Sequence, residues 1–162
     1  MFLLDANVLI EASRTYYSAR ITPTYWAWLA NQHFAGNIAS VASVRREIDD
    51  GKAGHLTTWA ATLPATFWIQ PTQPSVQSMT VLTAWTMDPA RLYTSAARQT
   101  FLQEADYFLI AEAHAGNHTV VTREQPAPAA RKRVLIPDAC AGVNVACASP
   151  FSVYESLGLR FR

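Results

Sequence analysis

Short apolar runs that end at single polar residues set the rhythm of this chain. Residues 1–4 are apolar and meet an acid at Asp5; Asn7 follows, and residues 8–10 are apolar again. A run of that length reads as a buried strand, although periodicity alone leaves a buried helix open. Residues 7–13 then read as a short helix with Asp5 or Asn7 near its cap. The pattern returns late in the chain. Residues 118–122 form a second apolar strand, and Glu124 stands just past its end.

The intervening segments alternate between helix and strand. Residues 16–22 read as a loop, and Pro23 opens a helix with Thr22 as its cap. That helix runs to about Phe34 and stops before Gly36. Its aromatics, Tyr25, Trp26, Trp28 and Phe34, are expected in the core. A strand over 37–40 feeds a helix over 41–50, closed by Gly51. At about 100° per residue, Val41, Val44 and Ile48 share one stripe, with Arg46 and Asp50 on the far side. Glu47 sits at the border of that stripe. Helices are expected over 55–63, 75–85 and 90–103, with a strand over 66–70 and a turn at Pro71 and Pro74. Residues 104–116 are apolar except near their ends, which predicts a buried helix closed by Gly116. Pro137-Asp138 opens a short helix reaching Gly142, a strand follows over 144–148, and a helix over 150–157 ends the pattern. Strands alternating with helices predict one α/β domain over residues 1–162: a three-layer α/β/α arrangement with a parallel sheet of about five strands.

Composition narrows the function classes. Half of the 162 residues are hydrophobic and 15% are charged, a globular balance. The net charge of +1 argues neither for nor against a nucleic-acid partner, so only a local basic patch could. Cys140 and Cys147 lack zinc-site spacing and read as reduced core thiols. His55, His114 and His118 show no ligand spacing either. The first residues lack the layout of a signal peptide, and no apolar run is long enough for a membrane span, so the expected location is cytoplasmic.

The carboxylates carry the candidate chemistry. Asp5 and Glu124 follow strands, Asp106 lies in the first turn of a helix, and Glu47 borders an apolar stripe. In a parallel α/β fold, strand ends gather at one sheet edge, where ligands bind. Carboxylates crowded there repel one another unless a cation neutralises them. Hard divalent cations take oxygen ligands and can activate water against a phosphodiester. For each acid a plainer role exists: a helix cap for Asp5, a dipole partner for Asp106, a solvated surface group for Glu47. Asp138 reads as the cap of its own helix rather than an added ligand. Glu112 lies between one and two turns from Asp106 and is ranked below it. Arg45, Arg46, Arg131, Lys132 and Arg133 are candidate phosphate contacts.

The ordered set of segments around 3–10, 43–48, 104–113 and 120–124 resembles the PIN-domain family, the fold of VapC-type toxin ribonucleases. The segment Ile136-Pro-Asp138-Ala-Cys140 is most similar to an uncharacterised bacterial PIN-like subfamily. The resemblance implies that Asp5, Glu47 and Asp106 are catalytic metal acids. Glu124 stands where such proteins commonly have Asp. It implies that Asn7 orients the first acid and that Thr122 is the hydroxyl after the fourth strand. It further implies Mg²⁺ or Mn²⁺ as cofactor, RNA as substrate, a cognate antitoxin as partner, and homodimers. Two rival expectations stand beside it. One is a non-catalytic PIN-fold interaction module. The other is a small-molecule phosphohydrolase with Asp5 as nucleophile, which Asn7 disfavours by standing where a second acid is wanted.

Overall fold

The computed structural model describes residues 1–15, 17–51 and 54–161, so Tyr16, at the start of the expected 16–22 loop, lies outside the described residues. Five parallel strands form one sheet: β1 (Phe2–Leu4), β2 (Ile38–Val41), β3 (Trp68–Ile69), β4 (Thr119–Val121) and β5 (Ala146–Ala148), in the order β3-β2-β1-β4-β5. The helices α1 (Ala6–Arg14), α2 (Pro23–Phe34), α3 (Ala42–Asp50), α4 (His55–Thr62), α5 (Gln73–Met87), α6 (Ser95–Phe101), α7 (Ala105–Gly116), α8 (Ile136–Gly142) and α9 (Pro150–Ser156) flank it, giving the three-layer α/β/α fold.

The inner strands β1, β2 and β4 are short and mostly apolar because both sheet faces are covered there, whereas the edge strand β5 is largely exposed. Leu3, Leu4, Ile38, Val120 and Val121 are fully buried. Register is set by Leu3 pairing with Ala39 on one side and with Val120 on the other. The one hydroxyl between β2 and β1 is satisfied, with Ser40 Oγ donating to the Leu4 carbonyl at 2.6 Å. The chain builds outward from β1 through β2 to β3, then returns to place β4 on the other side of β1. The strand order therefore reverses between β1 and β4, the place where ligand crevices open in such sheets.

Aromatic packing fixes α2 against its neighbours. The Tyr25 and Tyr154 hydroxyls lie 2.6 Å apart between α2 and α9. Trp26 meets Trp59 of α4 edge to face, with centroids 4.7 Å apart. Phe34, expected in the core, is instead exposed, because it falls in the last turn where α2 leaves the sheet. Among the described residues, no helix is long and apolar enough to cross a membrane.

Three local expectations are corrected. The helix expected over 90–103 begins only at Ser95, where the Thr94 hydroxyl caps it by accepting from Ala97 N at 3.1 Å. The preceding loop is held by the Arg98 guanidinium, which donates to the carbonyls of Met87, Asp88, Arg91 and Tyr93. Gly116 does not close α7; Asn117 does, in the left-handed conformation at φ 51°. A Cβ at 116 would meet the His118 ring, which would have to turn away to admit it. The two cysteines are free, but only Cys140 is buried; Cys147 is exposed on β5.

Candidate active site at the carboxyl edge of the sheet

Two acids reach the crevice because their elements begin there. Asp5 is the residue between β1 and α1, so its backbone N–H still bonds to β4, donating to the Val121 carbonyl at 3.0 Å. Its side chain caps α1, with Oδ1 accepting from Asn7 N at 3.3 Å. Its second oxygen, Oδ2, accepts from the Thr122 hydroxyl at 2.9 Å. Asp5 is thus both helix cap and crevice acid, and Thr122 joins the ends of β1 and β4. Asn7 orients Asp5 through its main chain, while its exposed side chain lines the neighbouring cleft. Asp106 stands in the first turn of α7 and is 7% exposed, whereas Asp5 is wholly buried.

Burial and neighbouring charge both act on these acids. Burial pushes the Asp5 carboxyl up to about 6, against the lowering effect of the Thr122 and Asn7 hydrogen bonds, and the charges of Glu124 and Glu47 add to the rise. Burial also dominates at Asp106, pushed up to about 8, with Asp5, Glu124, Glu104 and Glu47 all contributing. Glu47 is raised by burial and then by the charge of Glu104. A cleft of about 540 Å³ opens beside Glu47, Glu104 and Asp106, lined also by Asn7, Ser43, Arg46, Asp50, Gln103, Ala105, Phe108 and Arg133; Asp5 lies buried behind it.

Glu104 is the acid that the sequence reading did not single out. It occupies the cap position of α7, lines the cleft and bears on both Glu47 and Asp106. The signal available was its spacing, two residues before Asp106 and at the edge of the same apolar helix. Glu124 is near enough to raise Asp5 and Asp106, yet its carboxylate is already engaged. One oxygen takes a hydrogen bond from Arg133, and the other accepts from Ile136 N at 2.8 Å. Asp138 does not cap its own helix; its Oδ2 accepts from Ala127 N at 3.0 Å and pins the loop before α8. Glu112 is buried further along α7 and lines a separate notch with Ser43, Arg46, Ser75 and Met79.

The basic candidates divide by position. Arg46 and Arg133 line the acid cleft. Arg45 is drawn to Asp49, 2.9 Å away, and lies over the Trp68 ring. Arg131 lines a different surface groove, and Lys132 is exposed.

Asp5, Glu47 and Asp106 form an all-oxygen donor set, the kind that suits a hard divalent cation. Burial raises them most and neighbouring acid charge adds to the rise; a cation between them would counter that effect. Among the described residues, no three acidic, imidazole or thiol side chains are grouped closely enough to hold one ion as they stand. Cation binding would therefore have to draw the acids together.

The sequence matches the profile of a family described as "Domain of unknown function (DUF4411)" over residues 2–161. The chain belongs to that family. No curated protein and no solved structure matches it. The match to DUF4411 spans every strand of the sheet and includes Asp5, Glu47, Glu104, Asp106 and Glu124.

Proposed function

We propose that this chain is a divalent-metal-dependent endoribonuclease. What carries the reading is the placement of buried Asp5 and Asp106 at the β1/β4 reversal, with Glu47 and Glu104 across one open cleft. Buried carboxylates raised above their ordinary range beside an open cleft favour a site with a chemical task. The PIN-like order of the segments supports RNA as substrate, and it extends the reading to a toxin held by a cognate antitoxin.

Asp5, Glu47 and Asp106 would hold Mg²⁺ or Mn²⁺. When bound, such an ion supplies a more acidic water and neutralises charge on a phosphate under attack. The chain's own residues supply the positioning. Thr122 and Asn7 N fix both oxygens of Asp5, so its orientation is set before substrate arrives. Arg46 and Arg133 on the cleft wall are available to bind the phosphates on either side of the scissile one. Glu124 braces Arg133 and the start of α8, a positioning role.

A non-catalytic module remains the second reading, favoured by one observation: the Glu124 oxygens are occupied by Arg133 and Ile136 N. The phosphohydrolase reading is weakened by Asn7, which stands where a second acid would be wanted as general acid. The test is cleavage of single-stranded RNA by purified protein with Mg²⁺. Asp5→Asn should abolish cleavage while leaving the fold intact. Full activity in contaminant-free Asp5→Asn protein would overturn the reading.

A further inference from the structure

We propose that the groove between the loop over 88–94 and α8 is a nucleotide-binding subsite, where a base of single-stranded nucleic acid stacks. The proposal rests on the nuclease reading for its substrate, and on separate residues for its geometry.

The groove is lined by Trp85, Arg91, Tyr93, Pro128 and Asp138, with a volume of about 330 Å³. A second lobe of about 230 Å³ shares Arg91, Tyr93 and Pro128 and ends at Arg131. Volumes of this order suit a small planar ligand. The Arg91 guanidinium lies 4.4 Å from the Trp85 ring centroid and lines both lobes of the groove, a planar cation placed where a second planar group could stack. Tyr93 stands tilted to Trp85 with centroids 6.0 Å apart and presents a second ring. Aromatic rings beside arginine are the common platform for unpaired bases.

Two observations set this groove apart from an ordinary surface dip. Trp85 Nε1 and Arg91 Nε are buried donors with no hydrogen-bond partner. Unpaired buried donors cost stability, and those in native folds call for an explanation. The indole N–H edge lies against Gly142, where any side chain would collide with it. The walls are also held rigid. Arg98 gathers the carbonyls of Met87, Asp88, Arg91 and Tyr93, fixing the loop that presents Arg91 and Tyr93. The opposite wall is tied by Thr94 N donating to the Arg131 carbonyl at 2.9 Å and by Asp138 accepting from Ala127 N at 3.0 Å.

Charge and continuity identify the occupant. Arg91 and Arg131 outnumber Asp138, which favours an anionic ligand, while the free oxygen of Asp138 suits a base amino group. Arg133 lines the acid cleft, and Arg131 is two residues away along the chain. One short segment, residues 131–133, thus contributes an arginine to each of the two sites, which suits a single strand lying across both.

The test is equilibrium binding of a fluorescent single-stranded oligoribonucleotide with Mg²⁺, in the Asp5→Asn background where the strand stays intact. Tyr93→Ser should weaken binding about tenfold, and Tyr93→Phe, which keeps the ring, should leave it unchanged. Arg131→Ala should lower the salt dependence of log K by about 1. Unchanged binding in Tyr93→Ser, or no binding at all in the parent, would overturn the subsite. The Tyr93→Phe control separates loss of the stack from loss of the fold. Cleavage assayed in parallel in the Asp5 protein separates the two claims. Tyr93-dependent binding without cleavage would remove the nuclease and keep the subsite; cleavage with Tyr93-independent binding would do the reverse.

Discussion

The Thr122 hydroxyl donates to Asp5 Oδ2 across 2.9 Å, joining the carboxyl ends of β4 and β1 where the strand order reverses. This bond is buried and ends on a carboxylate, so it is stronger than a neutral one. Thr122→Val keeps the shape and removes the donor. It should cost about 2 kcal/mol of stability at neutral pH and weaken divalent-metal affinity about tenfold, since an orienting group is lost. Thermal unfolding and Mn²⁺ titration read the two effects. Unchanged affinity would show that Thr122 serves the fold alone.

The metal-free protein should lose stability as pH rises. Asp5 and Asp106 are raised in the folded chain to about 6 and about 8, above their ordinary value of 3.8. The native state therefore binds more protons than the unfolded state between these limits, and linkage makes the unfolding free energy fall with pH. That contribution is fully present below about pH 4 and is lost by about pH 8. Added Mg²⁺ should restore stability at the alkaline end. Unfolding scans in chelator across this range check the sign, and a rise in stability from these acids would contradict it.

Asp106→Asn should stabilise the metal-free protein at about pH 8, because it removes a buried charge that its neighbours oppose. A gain in Tm of about 3 °C or more is expected, together with loss of cleavage, the usual trade at a functional site. Glu104→Gln should give a smaller gain in the same direction, through Asp106 and Glu47. A fall in Tm for Asp106→Asn would mean that its carboxylate is structurally satisfied.

Much of this site was legible because the folding signals and the chemistry coincide. Asp5 ends an apolar run, and the same position that terminates β1 begins α1 and caps it. The stripe Val44 and Ile48 put Glu47 at the border of α3, and both apolar residues are fully buried. What escaped the sequence depends on long-range partners. Nothing local shows that Arg98 will gather four carbonyls and unwind the start of an expected helix. Nothing local shows that Glu124 will meet Arg133, or that Asp138 will hold Ala127 instead of its own helix. Glu104 carries no mark of its own in the sequence beyond its spacing from Asp106, and only the folded cleft brings it beside Glu47 and Asp106.

The Glu124 contacts separate a bracing residue from a ligand. Glu124→Gln keeps an acceptor for Ile136 N and removes the charge that pairs with Arg133. Cleavage should fall by about tenfold, far less than in Asp5→Asn, as for a supporting partner. Arg133→Ala should lower it similarly by freeing the same loop. A loss in Glu124→Gln as complete as that in Asp5→Asn, with the fold intact, would make Glu124 a direct ligand.

Calorimetric titration of the purified protein with Mn²⁺ tests the central claim most directly. Saturable binding is expected, with protons released because raised carboxylates must ionise to take the ion. It should disappear in Asp5→Asn and in Asp106→Asn while both remain folded. Absence of saturable binding in the parent protein, or undiminished binding in both variants, would contradict the account.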